Sequence, residues 1–246
     1  MIGAIGLPQA ALVDRRIPKR LLLEHGAPTA ADKRLLNSGV EQLHWVATLK
    51  PTTVGVAAYR DEAREYLEVS VLRVVLAEGA KTSRLLELVH RAIPYPVFAI
   101  SKSAARVEIS LAHKRWSQGE IGKVVLDGAV VAVDCPGEGA PHHDHFVAAL
   151  PLASQPHSSL LSVYQGWVGV LLALHAARRT GHFSLRGSSA EVAARQVALT
   201  ECNRLETEVA RLRAAAAKEK QIPRQVELNL DLKRAEAALA AAIGNL

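Results

Sequence analysis

A group of potential metal ligands lies just past the middle of the chain, in the segment PHHDHF. It contains His142, His143, Asp144 and His145. In an extended segment alternate side chains point the same way, so His142 with Asp144, or His143 with His145, could hold a divalent metal. Neighbouring imidazoles still need a distant ligand, such as His157, to complete a tetrahedral site. The alternative is a polar connector with incidental histidines. We favour it and expect no metal or other cofactor.

A second candidate for chemistry is a set of carboxylates, Asp61, Glu65 and Glu68, that precedes a β-branched run. Metal-dependent nucleases of the restriction-enzyme type place an acidic residue before one strand and Glu-x-Lys on the next, where the lysine positions the attacking water. Here Glu68 opens Glu-Val-Ser and Glu108 opens Glu-Ile-Ser, so the lysine is missing. Two lysines elsewhere in the chain could replace it: Lys102 and Lys114. A nuclease is therefore an alternative hypothesis only.

Basic residues mark two places where nucleic acid could bind. Cations beside an aromatic ring can hold phosphates while the ring stacks on a base. The alternative interpretation is that these are solvated strand ends with the tryptophan packed on the core. The candidates are Arg15, Arg16, Lys19 and Arg20 in the N-terminal segment, and Lys114, Arg115 and Trp116 further on.

The elements that must position these residues are read from hydrophobic periodicity. Residues 29–49 have helical spacing, whereas residues 53–60 and 65–76 alternate and are β-branched, which predicts an antiparallel hairpin. A helix over residues 81–93 ends at the prolines of IPYP, and three more strands follow within residues 97–134. The pattern predicts an α+β domain over residues 1–135, with a mixed five-stranded sheet and flanking helices.

The remainder of the chain reads as helical. Residues 136–187 are predicted to form a connector and a central helix over about residues 159–179. Its apolar stretch, Trp167–Ala177, is too short to span a bilayer, so no membrane association is expected. A helix capped by Ser188 or Ser189 then opens the last predicted domain, residues 188–246.

This last domain carries the seam of a coiled coil, with apolar residues alternately three and four apart. Pro223 interrupts it, and proline is accepted in the first turn of a helix. The pattern predicts an antiparallel helical hairpin; a single kinked helix paired with another chain is the alternative. The seam residues that we expect to form the partner-binding surface are Leu205, Val209, Leu212, Leu228, Leu232 and Leu239.

Composition limits the function classes. The chain has 246 residues, 49% of them hydrophobic but only 4% aromatic, and a formal charge of +6. This is enough apolar material for a core, and the positive charge is compatible with a nucleic-acid partner. Cys135 and Cys202 lie far apart without metal or redox spacing. The N-terminal segment has no cationic region before its apolar run, so we expect no signal peptide and a cytoplasmic protein.

Three segments of the chain resemble a bacterial family catalogued as domain of unknown function 4391. They are LPQAALVDRRIPKRLLLEHG, with its IPK; VHRAIPYPVFAI, with its IPYP; and KEKQIPRQVELNLDLKRAEAAL near the C-terminus. The family commonly has phenylalanine and asparagine around the hairpin turn, where this chain has Ile222 and Pro223. The resemblance implies no specific activity. It does imply a setting, because family members tend to be encoded beside helicases and DNA methyltransferases in bacterial anti-phage loci.

These observations favour a non-catalytic accessory or scaffold subunit of an anti-phage system, with a helicase or DNA methyltransferase of the same locus as its partner. A metal-dependent nuclease and a DNA-binding module are the alternatives. DNA and a second copy of the chain are further candidate partners.

Overall fold

The computed structural model describes residues 1–104, 106–120 and 122–246. Ala105 and Ile121, which fall within the segment predicted to form three strands, lie outside the described residues. The chain divides into two compact units, Met1–Leu171 and Leu172–Leu246.

The described strands all belong to the first unit. They are β1 (Leu12–Arg16), β2 (Val40–Leu49), β3 (Tyr59–Arg60), β4 (Glu65–Tyr66), β5 (Val69–Leu76), β6 (Val97–Ser103), β7 (Arg106–Leu111), β8 (Lys114–Trp116), β9 (Val124–Leu126) and β10 (Val131–Asp134). The α-helices are α1 (Lys19–His25), α2 (Ala30–Gly39), α3 (Pro51–Val54), α4 (Thr82–Ala92), α5 (His143–Ala149), α6 (Leu160–Thr180), α7 (Ser189–Lys218) and α8 (Ile222–Gly244).

Six of the described strands form one mixed sheet in the order β1-β2-β5-β6-β7-β10. Neighbours are antiparallel except β5 and β6, which run parallel and are connected through α4. Two small ribbons, β3–β4 and β8–β9, lie outside this sheet. The prediction of an α+β sheet followed by a helical hairpin is confirmed, and the main sheet has six strands where five were predicted.

The difference arises largely at β2, because residues 29–49 were predicted as one helix. The helix α2 ends at Gly39 and the chain continues directly as a strand. Pairing of β2 with β5 shifts register between Val40 and Gln42 and again between Trp45 and Ala47. These irregularities space the buried residues Val40, Leu43 and Ala47 three and four positions apart, which imitates a helix.

The predicted strand over residues 53–60 is also mostly wrong. The helix α3 has proline in its first turn and a capping interaction between Lys50 and Thr53, and it ends at Gly55 with φ of 69°. Only the two residues of β3 are strand, and they pair with β4. The proline and the capping interaction, which both favour the start of a helix, therefore outweigh the β-branched composition of this segment.

Helices cover one face of the sheet. There α1, α2 and α4 enclose a core that includes Leu22, Leu36, Leu43, Leu72 and Leu88. The contact of α1 with α4 needs Gly26, since a Cβ at that position would lie 2.6 Å from the carbonyl oxygen of Leu88. The close approach fixes α1 over the sheet.

The opposite face is covered in part by the beginning of α6. Trp167 and Phe98 are both fully buried and meet edge to face, with ring centroids 4.9 Å apart. The Tyr164 hydroxyl donates to the carbonyl of Val97 and accepts the backbone N–H of Ala112, both at 2.8 Å. Aromatic packing and satisfied hydrogen bonds together fasten this helix to β6 and the end of β7.

The helix α6 (Leu160–Thr180) agrees with the predicted central helix over about residues 159–179. With 21 residues and a mean hydropathy of 1.5, it is long and apolar enough to cross a membrane by length and composition alone. However, 78% of the apolar window is buried inside the protein, as in the core helix of a globular fold.

The second unit contains the predicted antiparallel hairpin of α7 and α8. Ser188 caps α7 in a capping box with Glu191, as the sequence suggested. Pro223 lies in the first turn of α8, as predicted. Arg213 on α7 forms a 2.7 Å ion pair with Glu236 on α8.

Candidate functional site

A cavity of about 550 Å³ opens within the first unit, beside the sheet face that α1 and α4 cover. Two of the sequence motifs meet there: Ile17 and Pro18 of IPK on one side, and Ile93, Pro94 and Tyr95 of IPYP on the other. Ligand pockets in proteins commonly have volumes of about 300–1,000 Å³. The cavity is therefore large enough for a small molecule.

The inner wall of the cavity is built from β2 and β5. Thr48 and Ser70 are paired in the antiparallel register of these strands. Glu68, Ser70 and Leu72 lie two residues apart, so the alternation predicted from the sequence places all three on the cavity face. The buried part of the lining is otherwise apolar: Leu22, Leu43 and Ala92.

Ser70 is the most unusual residue of this wall. It is fully buried, and its hydroxyl oxygen has no hydrogen-bond partner among the described residues. A buried hydroxyl without a partner costs about 1–3 kcal/mol. A group that occupied the cavity and bonded to this hydroxyl would recover that cost.

A charged pair lies at the edge of the same wall. Lys50 Nζ is 2.9 Å from Glu68 Oε2; the Glu68 side chain is almost buried, whereas that of Lys50 is half exposed. The hydrogen bond to Glu68 and its negative charge raise the pKa of Lys50. Lys50 therefore stays protonated beside the carboxylate.

Exposed basic residues surround the mouth. Arg15, Arg16 and His25 line it together with the partly exposed ring of Tyr95. In the described part of the chain neither Arg15 nor Arg16 has a carboxylate partner, whereas Arg20 pairs with Glu24 at 3.0 Å. The mouth therefore offers two uncommitted guanidinium groups to an anion.

Comparison with protein families identifies the family to which the chain belongs. A family model described as Domain of unknown function (DUF4391) matches residues 5–239. The chain belongs to this family. No curated protein and no solved structure matches. The match includes IPK and IPYP, the two DUF4391 segments that line the cavity, and the hairpin up to Leu239.

The second basic group of this DUF4391 chain is mostly engaged in the fold. Lys114 is buried, and its ammonium donates to the carbonyls of His90 and Ile93 at the C-terminal end of α4. Burial lowers its pKa to about 7. Arg115 lies 3.6 Å from Asp127, and its guanidinium also donates to the carbonyl of Trp116. Lys114 thus caps a helix and is not exposed to a phosphate.

The histidine cluster does not adopt the extended form that the metal-site hypothesis requires. His142 is the N-cap of α5, and the residues that follow it are helical. Successive side chains on a helix point about 100° apart, so His143 and His145 do not face the same way, and His143 Nδ1 lies 2.9 Å from the carbonyl of Pro136. Among the described residues no group of three or more His, Cys, Asp or Glu side chains could hold a metal ion.

The carboxylates of the nuclease hypothesis lie in separate interactions. Asp61 accepts the Tyr59 hydroxyl at 2.7 Å and the backbone N–H groups of the turn between β3 and β4. Glu65 pairs with Arg60 at 2.6 Å, and Glu68 pairs with Lys50.

The predicted partner-binding leucines and valine form the hairpin seam. Leu205, Val209 and Leu212 of α7 are buried. Leu228, Leu232 and Leu239 of α8 are only half-buried. The large apolar side chains that remain most exposed on α8 are instead Ile222, Val226 and Leu230.

Sequence reasoning missed four residues of the cavity: Thr48, Lys50, Ser70 and Tyr95. Thr48 and Lys50 were hidden because β2, which contains Thr48 and ends just before Lys50, was predicted as part of a helix. The placement of Ser70 beside Glu68 on one strand face was visible, but nothing indicated that this face lines a cavity. IPYP was predicted to end the helix before it, which it does; its second role as a cavity wall needs the fold.

Proposed function

We propose that this chain is a non-catalytic accessory subunit of a bacterial anti-phage system that binds a DNA helicase or DNA methyltransferase through α8. The observation that carries the proposal is an apolar stripe on α8, formed by Ile222, Val226 and Leu230. These side chains are 74%, 52% and 51% exposed.

The stripe has the geometry of a helix-binding surface. Its members are four residues apart, so they lie along one side of α8. The seam residues Leu228 and Leu232 lie on the side that faces α7 and remain half-buried. Apolar side chains that stay exposed in a regular row usually mark a protein-binding site.

The occupant that fits this stripe is an amphipathic helix of the partner enzyme. Helix-in-groove recognition uses apolar anchors at three- and four-residue spacing, and the hairpin supplies such anchors beside a partly covered seam. Charges of both signs flank the stripe, including Arg224, Glu227 and Asp231, and such patterns select a partner. The class of partner is implied by the family's genetic neighbourhood.

The test is co-expression of this chain with the helicase and the methyltransferase encoded in its own locus, followed by size-exclusion chromatography. A stable complex is expected with the unchanged chain, and Val226→Asp with Leu230→Asp should weaken it at least tenfold. Val197→Asp is the matched control, since Val197 is 70% exposed on α7 and lies outside the stripe. Circular dichroism of the variants should match that of the unchanged chain.

Failure of both enzymes to bind would overturn the proposal, as would binding that the stripe variants leave intact. Light scattering on the chain alone tests the remaining possibility, which is that a second copy of the chain binds the stripe. Self-association that the stripe variants abolish would assign the surface to a second copy and contradict the enzyme-docking role.

A second candidate function is DNA binding, favoured by the free guanidinium groups of Arg15 and Arg16. Phosphate contacts make affinity fall steeply with salt. In a gel shift with duplex DNA, Arg16→Glu should reduce both the affinity and its salt dependence. Arg20→Glu is the control, because Arg20 is already paired with Glu24. Equal effects of the two variants would contradict a specific role of Arg16.

We do not propose a nuclease, because Asp61, Glu65 and Glu68 are each engaged with a different tyrosine, arginine or lysine.

A further inference from the structure

We propose that the cavity between β2, β5, α1 and the IPYP turn binds a nucleotide, with the base inside and the phosphate at the mouth. The inference shares Arg15 and Arg16 with the DNA-binding candidate and otherwise rests on residues that no phosphate contact requires. It is independent of the docking surface on α8.

The inner wall has the polar groups that a nucleobase needs. The hydroxyl of Ser70 has no partner among the described residues and can donate to a ring nitrogen or a carbonyl oxygen. Glu68 uses one carboxylate oxygen on Lys50 and can accept an exocyclic amine with the other. A base with an amino group, such as adenine, would satisfy both residues at once.

A purely hydrocarbon ligand fits the cavity less well. It would pack against Leu22, Leu43 and Leu72, but it would leave the Ser70 hydroxyl unbonded and shut the Glu68 carboxylate away from water. Burying such groups without partners costs free energy. The combination of an apolar wall with a donor and an acceptor therefore selects a flat ring with polar edges over an aliphatic chain.

Aromatic side chains lie where a base could stack. Trp45 is half-buried in the lining, and Tyr95 is 40% exposed beside the mouth. Stacking on an aromatic ring stabilises a bound base of any sequence, since every base has a flat π face.

The phosphate would meet the two arginines. Arg15 and Arg16 are exposed, line the cavity, and have no carboxylate partner in the described part of the chain. Guanidinium groups bind phosphate through charge-assisted and often bidentate hydrogen bonds. The same chemistry is offered by a free nucleotide and by the 5′-phosphorylated end of a single strand, so the experiment must separate these two sources.

Calorimetric titration with dAMP and with a 5′-phosphorylated single-stranded deoxyadenosine hexamer tests the proposal. Saturable binding of at least one is expected. 2-Deoxyribose 5-phosphate, which lacks the base, should bind at least about fivefold more weakly, as the lost stacking alone requires. Similar affinities for dAMP and the hexamer would indicate a free nucleotide, and a strong preference for the hexamer would indicate a strand end.

Two variants test whether the ligand binds in the cavity. Ser70→Ala should weaken dAMP or hexamer binding about fivefold while leaving the thermal unfolding midpoint unchanged or higher, because the hydroxyl has no partner to lose. Ser101→Ala is the matched control: it is also buried in the sheet, on β6, but does not line the cavity. Arg16→Ala should weaken binding about tenfold, and Arg20→Ala should not.

The outcomes separate this inference from the DNA-binding candidate. Ser70→Ala should leave duplex binding unchanged, since phosphate contacts by Arg15 and Arg16 do not involve the inner wall. Duplex binding without any nucleotide binding would overturn the cavity assignment and leave the DNA-binding candidate standing. Absence of saturable binding, binding indifferent to Ser70→Ala and Arg16→Ala, or tighter binding of decanoate than of dAMP would each overturn the inference.

Discussion

The first unit covers both faces of its sheet with helices, whereas α8 of the second unit has no buried side chain among the described residues. Most of the buried polar residues in the described part of the chain, among them His90, Ser70 and Lys114, belong to the first unit, whereas the second buries Arg195. The second unit carries many of its charges as exposed pairs three residues apart, such as Arg211 with Glu208. Exposed pairs of this kind contribute little to stability.

Because of this difference, we expect the two units to respond to different perturbations. The first unit depends on dense packing and on buried groups whose charge state is fixed by the fold. The second depends on apolar packing between α7, whose seam residues are buried, and α8, whose seam residues are half-buried, and on the buried C-terminal part of α6. All three tryptophans, Trp45, Trp116 and Trp167, belong to the first unit. Tryptophan fluorescence therefore follows the first unit, while the far-ultraviolet helix signal draws strongly on the second.

The largest expected effect is that of Trp167→Ala. The indole is fully buried against Phe98 and donates to the carbonyl of Leu150 at 2.9 Å. Its loss should lower the free energy of unfolding of the first unit by about 3–5 kcal/mol, measured by urea denaturation. Trp116→Ala, at a half-buried position, should cost much less. Equal costs would mean that packing on α6 does not dominate the first unit.

Acid should destabilise the first unit selectively. Burial and the neighbouring Lys114 lower the pKa of His90 from 6.5 to about 3. Burial is also the main reason that the pKa of His113 falls to about 4. Well above pH 6.5 both imidazoles are neutral in the folded and in the unfolded state, so neither affects stability there. As the pH falls, the unfolded chain binds protons that the folded chain resists, so stability decreases.

For His90 alone the loss between pH 6.5 and pH 4 should be about 3 kcal/mol. Urea unfolding followed by tryptophan fluorescence at these two values measures it. His90→Gln should remove about half of the pH dependence, because glutamine does not titrate whereas His113 still does. A dependence that this variant leaves unchanged would place the acid-sensitive group elsewhere.

The smallest effect belongs to the open side of the seam. Leu232→Ala removes a half-buried side chain of α8 and should destabilise the second unit by about 1 kcal/mol, less than a fully buried leucine would. Leu230→Ala, at a 51% exposed position, should change the unfolding free energy by no more than about 0.5 kcal/mol. The helix signal at 222 nm is the measurement. A larger cost at Leu230 would mean that the stripe is not free for a partner.

The fold was predicted well where the apolar residues of an element keep the same spacing along its whole length. The apolar stripe of α4, the helix α6 and the return at Pro223 each follow a single spacing and end at a proline or a cap. Prediction failed at β2, where irregular pairing made the strand imitate a helix, and at the edge strand β1. Most of β1 is exposed, and Asp14 has a φ of 49°, so it lacks the alternation of a half-buried strand.

The candidate cavity could not be predicted, because its walls come from segments that are distant in sequence. IPK and IPYP were each visible as motifs. Their meeting depends on the close contact of α1 with α4 at Gly26 and on the adjacency of β2 and β5. The polar groups inside it, Lys50 and Ser70, have no motif of their own. Only the register of two strands brings them together.

The burial of Cys202 provides a way to detect opening of the hairpin. This thiol is fully buried on α7, and burial raises its pKa, so both access and ionisation protect it from thiol reagents. The rate at which this thiol reacts with such a reagent in the native protein therefore measures how often α7 becomes exposed. A partner bound to the α8 stripe would lower this reaction rate without contacting the sulfur.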